Sequence, residues 1–424
     1  MDIALLFPGQ GSQYSGMGKS LCQDFAVANQ VFEEASDVLK QDMKKLCFND
    51  GYQLSKTVNA QPAILTVSLA AFRVYMQEIG IPPRIGAGHS LGEYSALVCS
   101  GALPFPTALR LVRRRGELMQ TVSERVTGEM ISIFHSNLRQ LEQICDEVFT
   151  DGYLVTAACY NAHGQLVISG QRQGITVLTR RLDSMGIKYS HLNVSAAFHS
   201  PLMQEAANQL ALEIKRDHFC HWSWPVVSNV DGLPYTGKDE IKNALILQMT
   251  RPVRWLETME YMNQIGIDVV VELGPKTVLR NLMRGFRSQI DAFALGTSAG
   301  LTGLKSFVQK NEQQSYMNSD FTQQIKLFLS NGLAAAVGVP NRNENEEEYQ
   351  RDGVKSYKKL KDLQKELEHN RATAEHLQQA VQLLHAVWKA KKVDVRDQRE
   401  QLKILLQKAR LEDFYENQMK LIKS

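Results

Sequence analysis

Three observations predict an α/β protein in which a largely parallel sheet is joined by a second, smaller unit. Apolar strands and helices alternate through the first part of the chain. A Gly-x-Ser-x-Gly run stands between one of these strands and the next helix. Further along, the pattern changes to the order β-α-β-β-α-β. Alternating elements favour a parallel sheet covered by helices on both faces, and the later order is typical of a ferredoxin-like unit.

The alternating part contains two apolar strands and four helices. Residues 3–7 form a short apolar run of the kind that makes a buried strand, and residues 85–87 form another that leads into the Gly-x-Ser-x-Gly run. Apolar residues at helical spacing predict helices near 25–39, 61–79, 93–98 and 106–119. We therefore expect a strand–turn–helix setting for the serine of the run.

The later pattern, over residues 126–195, predicts an inserted small subdomain. Its strands are expected near 128–134, 154–160, 165–169 and 188–194, and its helices near 138–149 and 174–185. With the elements on either side, it completes one domain over residues 1–300. The cleft between the two subdomains is the expected active site, because ligand pockets commonly form at such junctions.

The remaining residues, 301–424, have a different pattern. Residues 305–324 lose apolar density and predict a linker, and residues 341–348 predict a solvated break. From Leu360 onward, apolar residues follow helical spacing, interrupted at Asn370, and a second helix follows. We expect a linker and a helical hairpin. The hairpin either packs within this chain or docks another protein, and the sequence leaves both open.

Composition excludes several classes of protein. The 424 residues include 48 Lys and Arg against 45 Asp and Glu, so the net charge of +3 gives no argument for nucleic-acid binding. The six cysteines form no Cys-x-x-Cys pair and lie at no metal-ligand spacing, which favours a reducing compartment and no metal site. The chain begins without a basic leader, and no apolar run reaches membrane-spanning length. A cytoplasmic protein that does not bind membranes is therefore expected.

The Gly-x-Ser-x-Gly run occupies residues 88–92 and centres on Ser90. Between a strand and a helix, this run lifts the serine hydroxyl onto a strained, exposed turn, where it can be acylated. The helix that follows directs free N–H groups toward the place where an oxyanion would form. Ser90 is therefore the predicted nucleophile, and the N–H of Leu91 is one predicted oxyanion donor.

A loop with two glycines follows the first strand, at residues 8–13. Glycines allow the backbone to approach a ligand closely. Gln10 can then offer its backbone N–H as a second oxyanion donor. A simple turn before the helix that begins near Met17 is the alternative.

Three segments, in this order, resemble the malonyl-CoA:acyl-carrier-protein transacylase family. They are the loop at residues 7–13, the run at 88–93, and Ala-Phe-His-Ser at 197–200. The resemblance covers residues 1–295 and implies an α/β-hydrolase-like large subdomain into which the ferredoxin-like subdomain is inserted. It also implies that His199 takes the proton of the serine hydroxyl, which is otherwise a poor nucleophile.

The resemblance implies further roles around the nucleophile. Arg115 matches the family's carboxylate-binding arginine, whose planar guanidinium can hold the malonyl carboxylate through two parallel hydrogen bonds. Met119 belongs to the same helix motif, Phe198 matches the malonyl-selective variant, and Asn161 matches an asparagine that lines the cleft. Gln248 matches the glutamine segment near which a backbone carbonyl steadies the histidine. All five are expected substrate-binding residues.

The implied activity is that of a malonyl-CoA:acyl-carrier-protein S-malonyltransferase. A malonyl group passes from malonyl-CoA to Ser90 and then to the phosphopantetheine thiol of an acyl carrier protein or carrier domain, with no bound cofactor. The helical residues 301–424 resemble extensions of freestanding acyltransferases that supply bacterial polyketide synthases in trans, whereas fatty-acid transacylases usually end near residue 300.

Two alternatives to this activity stay open. One is a hydrolase that strips stalled acyl groups from carriers, although the resemblance implies that such hydrolases tend to lack the arginine found at position 115. The other is a scaffold, in which the helical tail binds a synthase or a second chain while the transferase fold stays passive.

Overall fold

The computed structural model describes residues 1–135, 137–194, 196–286, 289–343 and 345–412, with the backbone alone described over 312–320. Contacts divide the chain into two compact units, Met1–Ser306 and Phe307–Ser424. Among the described helices, none combines the length and apolar character that a membrane span requires.

The strands of the first unit form two sheets. In chain order the described strands are β1 (Ile3–Phe7), β2 (Ile85–Gly88), β3 (Gly128–Phe134), β4 (Val155–Ala162), β5 (Gln165–Gln171), β6 (Lys188–His191), β7 (Val226–Val227), β8 (Val253–Arg254), β9 (Val269–Glu272) and β10 (Asp291–Ala294). One sheet has the order β10-β9-β1-β2-β7, and the other has the order β6-β3-β5-β4-β8.

Helices connect these strands in the first unit. They are α1 (Lys19–Asp24), α2 (Ala26–Leu39), α3 (Met43–Asn49), α4 (Gly51–Ser55), α5 (Thr57–Glu78), α6 (Gly92–Ser100), α7 (Phe105–Arg125), α8 (Leu138–Thr150), α9 (Arg172–Ser184), α10 (Gln204–Ile214), α11 (Lys238–Leu247), α12 (Trp255–Gln264) and α13 (Val278–Gly285). The chain continues with α14 (Ser298–Gly338), α15 (Glu346–Glu348), α16 (Lys355–His369), α17 (Ala374–Ala390) and α18 (Val395–Ala409).

The larger sheet is parallel, as the alternating pattern predicts. β1 pairs with β2 on one side and with β9 on the other, and all of its residues are buried. A strand covered on both faces must be apolar throughout, which explains the continuous run Ile3–Phe7. The register sets Phe7 opposite Gly88. The loop after β1 and the turn after β2 therefore meet at the carboxyl edge of the sheet, and the prediction of an α/β fold is confirmed.

The smaller sheet confirms the inserted ferredoxin-like subdomain. β3, α8, β4, β5, α9 and β6 follow the predicted order, and the strands lie as β6-β3-β5-β4. The core forms where α8 and α9, with residues such as Leu141 and Leu178, pack against sheet residues such as Ile168. One edge was not predicted, because β8 is only two residues long and pairs in parallel with β4. This pairing joins the small subdomain to a later part of the chain.

The second unit is helical and has its own apolar core. Its buried side chains come from α14, α16, α17 and α18, and they include Phe328, Leu363, Trp388 and Leu405. Lys391 contributes a polar contact near the end of α14, where its Nζ donates to the carbonyl oxygen of Val339 at 2.8 Å. The apolar spacing that predicts helices after Leu360 is confirmed.

Two expectations for this part of the chain are wrong. Residues 305–324, the expected linker, lie within α14. They contain neither glycine nor proline, so their polar composition does not end the helix. The expected hairpin is a set of three helices, because α16 ends at His369 and α17 begins at Ala374. The N–H of Thr373 donates to Nδ1 of His376 at 2.9 Å, which starts α17 as a separate helix.

The turn between β2 and α6 is packed too closely for side chains at two positions. A Cβ at Gly88 would lie 1.9 Å from the backbone of Gly92, and a Cβ at Gly92 would lie 1.9 Å from the carbonyl oxygen of Phe7. Backbone atoms can make room only if the strand or helix moves. The two glycines therefore determine how close α6 lies to the sheet.

We expect Gly92→Ala to lower the free energy of unfolding by about 3 kcal/mol or more, because overpacking against backbone is harder to relieve than overpacking against side chains. Gly164→Ala is the matched control, since no atom lies within 4 Å of its added Cβ, and we expect a change within about 0.5 kcal/mol. Urea unfolding followed by tryptophan fluorescence measures both. Equal midpoints for the two variants would contradict the packing argument.

Candidate active site

Ser90 stands on the turn between β2 and α6 in a backbone conformation that serine rarely adopts. Its φ of 53° lies in the left-handed region. Asn229 holds this conformation from two sides, because its Oδ1 accepts the Ser90 N–H at 2.6 Å and its Nδ2 donates to the Gly88 carbonyl oxygen at 2.6 Å. The Ser90 hydroxyl is therefore presented to the cavity on a fixed backbone.

The imidazole of His199 lies within hydrogen-bond reach of this hydroxyl. Its Nε2 is 2.7 Å from Ser90 Oγ, and its Nδ1 is 2.7 Å from the backbone carbonyl oxygen of Gln248. A carbonyl can only accept, so Nδ1 carries the proton and Nε2 is free to accept one. Burial lowers the pKa of His199 to about 3, and the nearby charge of Arg115 acts in the same direction. The imidazole is therefore neutral at neutral pH.

Two backbone N–H groups are available beside this pair. Among the described residues, no acceptor is recorded for the N–H of Gln10 or of Leu91. Gln10 lines the same cavity as Ser90, and Leu91 immediately precedes α6. The loop of Gln10 packs tightly on the turn, since a Cβ at Gly9 would lie 2.3 Å from the carbonyl oxygen of His89. Both N–H groups can therefore donate to a bound oxygen.

Arg115, on α7, carries a positive charge that no carboxylate neutralises within the described part of the chain. Its side chain is 1% exposed. The guanidinium donates to two neutral amide oxygens, Gln61 Oε1 at 2.9 Å and Gln248 Oε1 at 3.0 Å. Its Nη2 lies 3.4 Å from Ser90 Oγ, and its Nε has no hydrogen-bond partner among the residues that the structure describes. Because a buried, unpaired charge is costly, this arrangement favours binding of an anion next to the serine.

These side chains surround a cavity of about 260 Å³ between the two subdomains. Seven predicted site residues line it: Gln10, Ser90, Arg115, Met119, Asn161, Phe198 and His199. Helix α13 adds an apolar wall through Val278, Leu279 and Leu282. In the part of the chain that is described, no group of three or more His, Cys, Asp or Glu side chains is placed to hold a metal ion.

Gln248 lies behind the cavity wall and does not line the cavity. Its Nε2 donates to the Ser90 carbonyl oxygen at 2.9 Å and to Glu93 Oε2, and its Oε1 accepts from Arg115. Its backbone carbonyl accepts from His199. The structure thus brings Gln248 to Ser90, His199 and Arg115, and its expected contact with the substrate stays a prediction.

Glu93 is a site residue that the sequence patterns do not predict. Its fully buried carboxyl group accepts hydrogen bonds from the Tyr235 hydroxyl, the Asn229 N–H and Gln248 Nε2. Burial raises the pKa of Glu93 to about 7, and the three donors oppose that effect. The one available signal is an acidic residue directly after the Gly-x-Ser-x-Gly run. Asn229 has no such signal, because it follows a strand of only two residues.

Asn161 reaches the site from β4 of the small subdomain. Its Oδ1 is 2.9 Å from Nε2 of His89. The His89 ring lies 5.6 Å from the Trp255 ring, and burial lowers the pKa of His89. A neutral His89 donates from Nε2, which occupies the oxygen of the Asn161 amide and leaves the amide nitrogen available to a ligand.

Comparison with known proteins identifies relatives along most of the chain. A malonyl CoA-acyl carrier protein transacylase of Bacillus subtilis is 40% identical over 407 residues, which is 95% of this chain and 99% of that protein. A polyketide biosynthesis malonyl CoA-acyl carrier protein transacylase of Bacillus velezensis is 37% identical over 298 residues, or 68% of this chain and 98% of that protein. A solved malonyl-transacylase in complex with its type II PKS acyl-carrier protein has a TM-score of 0.69 and 38% identity, covering 71% of this chain and 98% of that one.

The fold and the site together are those of an acyltransferase, in which a serine on a strained turn lies beside a neutral histidine and, among the described residues, two backbone N–H groups without an acceptor. The family described as the acyl transferase domain matches residues 4–328. Within it, the chain belongs to the malonyl-CoA:acyl-carrier-protein transacylase family.

We expect the reactivity of Ser90 toward an uncharged alkyl fluorophosphonate to stay constant as the pH falls from about 8 to about 5.5. A histidine of ordinary pKa, about 6.5, would be about nine-tenths protonated at the lower value. His199 stays neutral, because its pKa is lowered to about 3. Intact-protein mass measures the labelling rate, and His199→Ala should lower that rate by about 100-fold or more. If the labelling rate of the unaltered protein falls by about tenfold at the lower pH, His199 has an ordinary pKa and the prediction is wrong.

Proposed function

We propose that this enzyme transfers a malonyl group from malonyl-CoA to the phosphopantetheine thiol of an acyl carrier protein through an ester on Ser90. The observation that carries the proposal is Arg115. Its guanidinium is buried beside the nucleophile and has only neutral partners among the described residues. Malonyl-CoA differs from acetyl-CoA by a carboxylate, which is the group that such an arginine binds best.

The first half-reaction loads the serine. Ser90 Oγ attacks the thioester carbonyl carbon while Nε2 of His199 accepts the hydroxyl proton. The N–H groups of Gln10 and Leu91 stabilise the negative oxygen of the tetrahedral intermediate. The carbon–sulfur bond then breaks, and the CoA sulfur leaves with the proton that His199 returns. A malonyl ester on Ser90 and free CoA remain.

The second half-reaction unloads the serine by the reverse sequence. The carrier thiol gives its proton to His199, and its sulfur attacks the ester carbonyl. The carbon–oxygen bond to Ser90 breaks, and the serine oxygen recovers the proton from His199. The backbone carbonyl of Gln248 accepts a hydrogen bond from Nδ1 of His199. The imidazole ring therefore keeps one orientation through both steps.

Arg115 accounts for selectivity between acyl groups. An acetyl group would leave the buried guanidinium unpaired, at a cost of about 2 to 5 kcal/mol relative to a carboxylated group. Met119 and Phe198 line the cavity with Arg115 and limit the space around the α-carbon. Asn161 offers its amide nitrogen to the acyl or pantetheine part of the substrate.

The carrier that accepts the malonyl group belongs to a polyketide synthase, which the enzyme supplies in trans. Two of the similar proteins support this, one described as a polyketide biosynthesis transacylase and one solved with a type II PKS acyl-carrier protein. The second unit is matched in the Bacillus subtilis relative, which aligns over 99% of its own length and 95% of this chain. All six cysteines are free thiols, which supports a cytoplasmic location, and the reaction needs no bound cofactor.

Intact-protein mass after mixing with malonyl-CoA, methylmalonyl-CoA or acetyl-CoA tests the proposal. We expect a malonyl adduct on the unaltered enzyme and none on Ser90→Ala. Arg115→Ala should lower the rate of malonyl loading by about 30-fold or more, which is equivalent to about 2 kcal/mol. In this variant the rate of acetyl loading should rise relative to the rate of malonyl loading. Arg114→Ala is the matched control on the same helix, because that guanidinium is part-exposed and already paired with Glu117 and Glu213.

Two results would count against malonyl transfer. If no malonyl adduct forms on the unaltered enzyme, Ser90 is not loaded from malonyl-CoA. If an adduct forms but is hydrolysed without reaching a carrier protein, the enzyme is the acyl-carrier hydrolase that was the alternative. Rapid hydrolysis of an acetyl-carrier would support the same conclusion.

A further inference from the structure

The side-chain amide of Gln248 has two unlike ends, and each has a matching partner. Nε2 donates to the Ser90 carbonyl oxygen at 2.9 Å and to Glu93 Oε2, while Oε1 accepts from Nη2 of Arg115 at 3.0 Å. If the amide turned over, Nε2 would face another donor and Oε1 would face two acceptors. The observed orientation is therefore the matched one as long as Glu93 presents an acceptor.

Glu93 presents that acceptor because its other oxygen is held in place. Glu93 Oε1 accepts from the backbone N–H of Asn229 at 3.1 Å and from the Tyr235 hydroxyl. The Asn229 N–H belongs to the backbone, so it cannot rotate to become an acceptor. Glu93 is fully buried, and water is therefore not at hand to replace a lost partner.

We infer that Glu93 is a positioning residue for substrate selectivity, which fixes the Gln248 amide so that Arg115 is held ready for a carboxylated acyl group. The inference rests on the proposed function, because the malonyl carboxylate is the group that Arg115 is proposed to bind. Arg115 is held by two amides, those of Gln61 and Gln248. When one of them is lost, the guanidinium is held from one side only.

Glu93→Gln changes the hydrogen-bonding character of this group with little change of shape. The Asn229 N–H keeps an oxygen as its partner, so the new amide nitrogen takes the place of Oε2 and faces Nε2 of Gln248. Two donors then oppose each other, and the Gln248 amide must turn over or move away. In either case Arg115 loses its acceptor on that side.

The experiment measures kcat/KM for acylation of Ser90 by malonyl-CoA and by acetyl-CoA, on the full chain at about pH 8, where Glu93 is ionised because its pKa is about 7. We expect Glu93→Gln to lower the malonyl value by about 10- to 100-fold, mainly through KM, and the acetyl value by less than about threefold. An acetyl group makes no use of Arg115, so its loading is spared.

Two further variants complete the design. Glu272→Gln is the matched control, because it alters another fully buried carboxyl group, which accepts from the N–H groups of Leu279 and Arg280. We expect it to leave the malonyl-to-acetyl ratio unchanged. Gln248→Ala removes the amide but keeps the backbone carbonyl that bonds His199, and it should lower the ratio as Glu93→Gln does. Circular dichroism checks that each variant is folded. If Glu93→Gln does not fold, the result for Gln248→Ala alone tests the inference.

The outcomes separate this inference from the proposed function. In an Arg115→Ala background, Glu93→Gln should change the ratio no further, because both substitutions act through the same guanidinium. Equal losses for the two acyl-CoA substrates, or an unchanged ratio in Glu93→Gln and Gln248→Ala, would overturn the inference while malonyl loading of the unaltered enzyme stands. Failure of the unaltered enzyme to form a malonyl ester would overturn the proposed function itself.

Discussion

The left-handed backbone at Ser90 is the constraint on which the site depends. A residue with a Cβ in this region is strained by about 1 kcal/mol or more, so surrounding structure must hold it there. The structure does so with the close contact of Gly88 and Gly92 and with the two hydrogen bonds of Asn229. His199, the partner of Ser90, also has a positive φ, of 55°. Both members of the pair are therefore placed by packing and hydrogen bonding, against their local backbone preference.

A neutral amide separates the two buried groups at the site that are charged together at about pH 8, Arg115 and Glu93. Arg115 and Glu93 are joined through Gln248, which accepts from the first and donates to the second. Burial and the charge of Arg115 lower the pKa of His199 and keep it neutral. A direct ion pair between Arg115 and Glu93 would satisfy both charges and leave little attraction for a third group. The intervening amide therefore preserves the ability of the arginine to bind an external carboxylate.

The sequence predicts those parts of this protein that depend on local patterns. Alternating elements predict the parallel sheet, the β-α-β-β-α-β order predicts the small subdomain, and the run at residues 88–92 predicts the strained turn. The sequence does not predict that Asn229 holds the Ser90 turn or that Gln61 binds Arg115, because these contacts form only when distant segments of the chain meet. The expected linker at residues 305–324 failed for a different reason, since a polar composition without glycine or proline is compatible with an exposed helix.

The second unit is compact and has an apolar core of its own. Its core is built from residues between Ile325 and Leu411, so its apolar side chains are buried by its own helices. The Bacillus velezensis relative aligns over 98% of its own length but over only 68% of this chain. The Bacillus subtilis relative aligns over 95% of this chain. The machinery described around Ser90 lies entirely within the first unit. The described residues that line the cavity therefore all come from the first unit.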